Sequence, residues 1–151
     1  MLCGCRQEEE EPMLGLLEAA MAGRRWLCER SSVDHFERLL EEFGGAREKQ
    51  RWRETYRLRV EVIDADGGDL DRLGAAAAVH GAGPLPLDEG GAAGQTMAEA
   101  GVPLLQRDAV LVARAARGLL LTANVKACRD VATAGVHVEA ALLRPVWLTG
   151  T

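Results

Sequence analysis

Between Tyr56 and Val62 the hydrophobic pattern of this chain changes period. Tyr56, Leu58, Val60 and Val62 alternate with Arg57, Arg59 and Glu61, which gives an extended segment one apolar and one charged face, as in a half-buried strand. Before it the spacing is helical. Met13, Leu14, Leu16, Leu17, Ala20 and Met21 recur along one helix that Gly23 ends, and Val33, Phe36, Leu39, Leu40 and Phe43 form a second stripe. Ser31 or Ser32 can cap that second helix, and Gly44-Gly45 stops it. After the strand, Asp69 is placed to cap an alanine-rich helix over 70–80 and Asp88 a helix to Ala100, with further helices expected over 109–117 and 125–134. The short apolar runs VPLL (102–105), LLLT (119–122) and VHVE (136–139) fit buried strands. Strands alternating with helices through short glycine-punctuated connections predict an α/β domain with a mainly parallel sheet flanked by helices.

The chain has 151 residues, enough for one domain with its own core. Residues 1–11 are acidic and unpatterned and are expected to form a mobile arm, leaving 12–151 as a single α/β domain. With two Phe, one Tyr and three Trp, the core must be filled by Ala, Leu and Val. No stretch approaches the roughly 18 apolar residues of a spanning helix, and MLCGC runs into glutamates without a secretory pattern, so a cytoplasmic location with no membrane contact is expected. Four cysteines in that setting read as reduced thiols. None has CxxC spacing, and a Cys3, Cys5, Cys28 and His35 metal site is outweighed by the simpler reading of terminal thiols and a small core residue. His80 and His137 stand alone.

A formal charge of -5 argues against indiscriminate attachment to nucleic acid. It leaves room for a local basic face. From Arg47 to Arg59 the chain carries Arg47, Lys49, Arg51, Arg53, Arg57 and Arg59 against Glu48 and Glu54, with Trp52 and Tyr56 interleaved. Such a run can grip phosphates or an acidic partner, or simply solvate a helix end and strand face.

In a parallel sheet, ligands bind beyond the carboxyl ends of the strands. The polar residues that follow apolar runs are Asp64 and Asp66, Arg107 and Asp108, Thr122 and Asn124, together with Asp88 at a helix start and Glu41 or Glu42 at the polar end of the second helix. Carboxylates converging there would hold Mg²⁺ or Mn²⁺, since hard cations take oxygen ligands. The competing reading makes the same acids helix caps and turn residues. GAGPLP lacks the setting of a dinucleotide loop, and neither GxxxxGK[ST] nor Gly-x-Ser-x-Gly occurs.

The stretch from VEVIDADGGDL to GVPLLQRDAVL resembles the C-terminal half of PIN-domain proteins, the ribonuclease fold of many bacterial VapC-type toxins. In that family an Asp opens an alanine-rich helix and a strand of the type GxPLLTRD ends in a metal-facing Asp. The resemblance implies Asp88 as the first of these acids and Asp108 as the second, with SSVDHF and LLEEFGGAREKQRWR similar to the opening motif and the Glu-bearing helix. Glu42, with Glu41 beside it, would then be the third acid. In a second register RDAVLVARA is the Asp-led helix and LLLTANVKACRDV holds the final strand, ending at Asn124; Asp108 serves in both. The chain departs from the family at WLCERSSV, where Arg30 stands at the expected first acid, flanked by Glu29 and by Asp34 further on. Gly90, Gly91 and Gly94 should also delay or weaken the helix after Asp88.

The resemblance implies a Mg²⁺- or Mn²⁺-dependent endoribonuclease with Asp88, Asp108 and Glu42 as catalytic and metal-binding acids, and Arg47, Lys49, Arg51 and Arg53 as RNA contacts. Its expected partners are RNA, an antitoxin-like protein inhibitor and a second copy of the chain. The alternatives are a non-catalytic α/β binding or regulatory module that meets an acidic partner through the basic run, and a small-molecule enzyme using the same sheet edge.

Overall fold

Among the described residues strands form at four short runs, and each pairs with a run distant in sequence. The computed structural model describes residues 13–79 and 88–143. Helix α1 (Met13–Met21) ends before Gly23, whose φ of +68° turns the chain into β1 (Trp26–Glu29). Helix α2 (Arg30–Phe43) follows β1 with no intervening loop, and α3 (Ala46–Arg51) continues into a π-helical turn over Trp52–Tyr56. Then come β2 (Val60–Ile63), α4 (Gly67–Val79), α5 (Asp88–Glu99), α6 (Leu104–Ala116), β3 (Leu120–Thr122), α7 (Val125–Thr133) and β4 (Ala140–Leu142).

The architecture is α/β and the strand pairing is parallel. Trp26 pairs with Val60 and Glu29 with Ile63; Leu120 pairs with Ala140 and Thr122 with Leu142. Among the described residues these are two separate two-stranded pairs, β1-β2 and β3-β4, instead of one continuous sheet. No helix among the described residues is long and apolar enough to cross a membrane.

Several boundaries differ from the sequence expectation for identifiable reasons. The alternation at Tyr56 begins a strand only at Val60, because Trp52 anchors the preceding turn: its ring meets Phe36 edge-on at 4.8 Å, and its Nε1 donates to Glu37 at 3.1 Å. Leu58 is consequently 80% exposed. VPLL is not a strand. Val102 is buried, Pro103 occupies the N-cap position of α6, and Leu104 and Leu105 belong to that helix. VHVE is a connecting segment, tied down where Arg114 Nη1 donates to the His137 carbonyl at 2.7 Å, and the last strand starts at Ala140. Helix α5 begins at Asp88 despite its glycines, and a Cβ on Gly94 would sit 3.7 Å from Leu111 of α6, an ordinary contact, so the helices' approach does not require glycine there.

Helix α6 is covered on two sides. Val110 and Val112 are two residues apart, about 200° around a helix, so they face nearly opposite directions. Val110 packs with Ala93, Met97, Val102, Val131 and Val136, while Val112 packs with Ile63 and Leu73. Every buried hydrophobic among the described residues is Val, Leu, Ile, Ala or Met, the aliphatic core that the aromatic-poor composition demands.

Arg117 ends α6 in the left-handed conformation, φ 49° and ψ 40°, a position where glycine avoids the Cβ penalty. Arg117→Gly should therefore stabilise the fold by up to about 1 kcal/mol, read as a higher urea midpoint at unchanged slope. An equal or lower midpoint would show that the guanidinium makes a contact worth more than the strain.

Candidate active site

The direct junction of β1 and α2 decides where three polar side chains go. Glu29 is the last residue of β1 and also occupies the N-cap position of α2, with extended φ and ψ, yet its side chain makes no capping bond. Ser31 and Ser32 were candidates for that cap. They lie in the first helical turn instead, and their hydroxyls point to carboxylates: Ser32 Oγ donates to Glu29 Oε1, and Ser31 Oγ donates to Asp108 Oδ2 at 2.9 Å. Asp108 arrives on α6 from 77 positions along the chain. The carboxyl end of β1 thus brings together Glu29, Ser31, Ser32 and Asp108.

Electrostatics at this point follow from burial. Glu29 is 6% exposed, the one buried charged residue among those described. Burial pushes its pKa above the ordinary 4.5; the Ser32 hydrogen bond works against that rise, and the nearby Asp108 charge adds to it. Cys28, next to it on β1, is pushed up to about 12, first by burial and then by the Glu29 charge and hydrogen bond. At neutral pH Cys28 is therefore a thiol, neither a nucleophile nor a thiolate ligand.

The other strand-end acids are occupied locally. Asp64 accepts from Arg30 Nε and Nη2, and this hydrogen-bonded guanidinium holds its carboxyl below the usual range. The pair is half-exposed and worth little to stability. Asp66 Oδ1 accepts from the Asp69 backbone N–H at 3.2 Å, and Asp69 Oδ2 accepts from that of Asp64 at 3.1 Å, so both shape the turn into α4. Asp69 itself lies inside the first turn of α4. Asn124 Oδ1 accepts from the Ala127 N–H at 3.0 Å, an N-cap of α7.

Of the acids singled out in the sequence, Asp108 lies at the junction. Glu42 does not join it. It is exposed at the far end of α2, eleven residues beyond Ser31, or roughly 16 Å at 1.5 Å per residue. Glu41 is held by Lys49 and Arg53, at 3.0 and 2.8 Å. Asp88 is the first residue of α5, and its side chain lies outside the described residues. Among the described residues no three His, Cys, Asp or Glu side chains form a group able to hold a metal. Periodicity alone does not single out Glu29, because a four-residue strand, WLCE, shows too few alternations; the resemblance names it beside Arg30, and the acid directly after WLC is the local signal.

The basic run is divided between roles. Lys49 and Arg53 neutralise Glu41, and Arg57 lies 3.5 Å from Glu37. Arg47 and Arg51 are exposed and make no ion pair among the described residues.

A cavity of about 890 Å³ opens beside Glu29, between β1, α6, β3 and α7. Its lining is mostly aliphatic, with Arg24, Arg25, Glu29, Ser32, His35, Gln106 and Thr122 among its polar members. Gln106 Oε1 is buried with no hydrogen-bond partner. An acceptor left unmet beside a mostly apolar cavity is a place where a bound donor or water gains most. No protein-family model, curated protein or solved structure matches this chain.

Proposed function

We propose that the chain is a PIN-type endoribonuclease that hydrolyses phosphodiesters with a Mg²⁺ or Mn²⁺ ion held at the carboxyl end of β1. The observation that carries this reading is the meeting of Asp108 with the Glu29 junction through Ser31. The element boundaries favour the second register of the resemblance: Asp108 stands on a helix that leads into the LLT strand, and Asn124 follows that strand. Glu29 then takes the place of the strand-ending acid, and Glu42 drops out of the ligand set.

The donors suit the ion. They are oxygens alone, and Mg²⁺ is commonly held by one or two carboxylates with waters filling its remaining positions. When bound, the ion would activate water and offset charge developing on the phosphodiester. The chain's own part is to hold the acids. Ser31 fixes the Asp108 carboxylate, Ser32 fixes that of Glu29, and the Cys28 thiol stays uncharged beside them. Glu29 binds a metal in its ionised form, so metal affinity should rise with pH as burial's upward push on its pKa is overcome. Arg47 and Arg51 remain free for RNA phosphates, whereas Lys49 and Arg53 are already committed to Glu41. An antitoxin-like inhibitor would act by covering the same junction.

A non-catalytic binding module is the second reading, favoured by the presence of two acids rather than three among the described residues. Manganese separates the two. Under the nuclease reading, Mn²⁺ at pH 7.5 raises the melting temperature saturably, and single-stranded RNA is cleaved in a reaction that EDTA stops. Unchanged melting with no EDTA-sensitive cleavage would leave the binding module.

A further inference from the structure

The opposite edge of the β1-β2 pair has a different chemistry. Because the strands are parallel and Trp26 pairs with Val60, the residues leading into them, Arg25 and Arg59, lie side by side. Arg24 precedes Arg25, delivered by the left-handed turn at Gly23. All three arginines line one concavity of about 650 Å³, together with Trp26, Glu18 and Glu61.

Their commitments differ. Arg25 Nη2 donates to both Glu61 oxygens, at 2.9 and 2.7 Å, so these two charges cancel. The Arg59 guanidinium lies 5.5 Å from the centroid of the Trp26 ring. Such a contact forms no hydrogen bond, so the guanidinium N–H groups stay available for an oxyanion. Trp26 is itself fixed, its Nε1 donating to the Met21 carbonyl at 3.0 Å. Arg24 is exposed and makes no ion pair or side-chain hydrogen bond among the described residues. Two guanidiniums therefore face one concavity in which, among the described residues, Glu61 is paired with Arg25 and Glu18 is the remaining acid.

We propose that Arg24 and Arg59 form an anion site for a phosphate group. Arginine forks match phosphate oxygens geometrically, and a guanidinium stacked on an aromatic ring loses less freedom when it binds. Arg24 also borders the cavity that reaches Glu29, but the Arg24 and Arg59 pair sits at the opposite end of β1 from that acid, about 10 Å away at 3.3 Å per residue. It does not depend on the nuclease reading.

Calorimetric titration of the full chain in EDTA at fixed ionic strength tests it, with inorganic phosphate, uridine monophosphate and a hydroxyl-ended tetrauridylate as probes. At least one probe should saturate at one per chain. Saturation by phosphate and the mononucleotide identifies a terminal phosphate as the ligand; saturation by the tetrauridylate alone identifies the internal diesters of RNA. R24Q/R59Q should weaken binding at least tenfold, and R129Q, an exposed arginine on α7, should leave it within twofold. Glu18→Gln removes the opposing charge and should tighten binding, a gain that no loss of folding can imitate. Absence of saturation with all three probes, an unchanged R24Q/R59Q, or weaker binding in Glu18→Gln would overturn the proposal.

Discussion

Under the nuclease reading, Asp108→Asn should lower EDTA-sensitive RNA cleavage about a thousandfold while the fold stays intact. The magnitude follows from the reaction: a bound divalent ion supplies several kcal/mol of transition-state stabilisation, and each 1.36 kcal/mol is a factor of ten in rate. Asparagine keeps an oxygen for Ser31 Oγ, so the α6 contact survives and the charge alone is lost. Cleavage that persists in the variant would exclude Asp108 as a ligand and point to a contaminating nuclease.

The same substitution has a signature in pH that needs no activity. A buried carboxyl whose folded pKa is raised favours folding most fully below its unfolded pKa, and that contribution is lost as pH rises through the folded value. For Glu29 the loss starts near its ordinary 4.5 and extends upward. The stability of the parent relative to Glu29→Gln should therefore fall as pH climbs from 4 towards neutrality. Asp108→Asn removes one cause of the raised value, so the fall should move to lower pH. Saturating Mn²⁺ should abolish it by binding the ionised form. A parent and Glu29→Gln difference that is flat with pH would mean that Glu29 titrates normally.

Met97→Ala should cost about 3 kcal/mol. Met97 is 0% exposed and packs with Val110 of α6 and Val131 of α7, so the truncated side chain leaves a cavity bounded by three helices. Buried Met→Ala changes cost about 2–5 kcal/mol, and in a domain of this size about 3 kcal/mol lowers the melting temperature by roughly 6–12 °C. A drop under about 1 kcal/mol would mean that α5 collapses onto α6, a route left open by the small residues at Ala93 and Gly94. Met97→Leu, which conserves volume, should recover most of the loss.

How much of this was legible in the sequence differs from element to element. The α/β alternation could be read because helical stripes such as Val33 and Leu40 and the glycine stops are strong local signals. The strands were harder, since three or four apolar residues carry no decisive period: LLT became a strand while VPLL was split between a buried loop and a helix. Asp108 stood out as a polar residue after an apolar run, although it reaches the site from inside a helix. Glu42 drew attention through its helix, but a position eleven residues along α2 is separated from the junction by the helix's own length. The serines were read as caps because local hydrogen bonding usually claims them; their actual partners include a carboxylate 77 positions away, which no local pattern encodes.

The double-sided seating of α6 ties distant parts of the molecule to one lever. The helix that carries Asp108 is wedged between two aliphatic clusters, so the gap between the Asp108 and Glu29 carboxylates is a reading of how both clusters fill. Enlarging Ala93 or trimming Leu73, neither of which approaches the junction through any described hydrogen bond, would tilt the wedge and shift the Asp108 carboxylate relative to Glu29 without altering either acid.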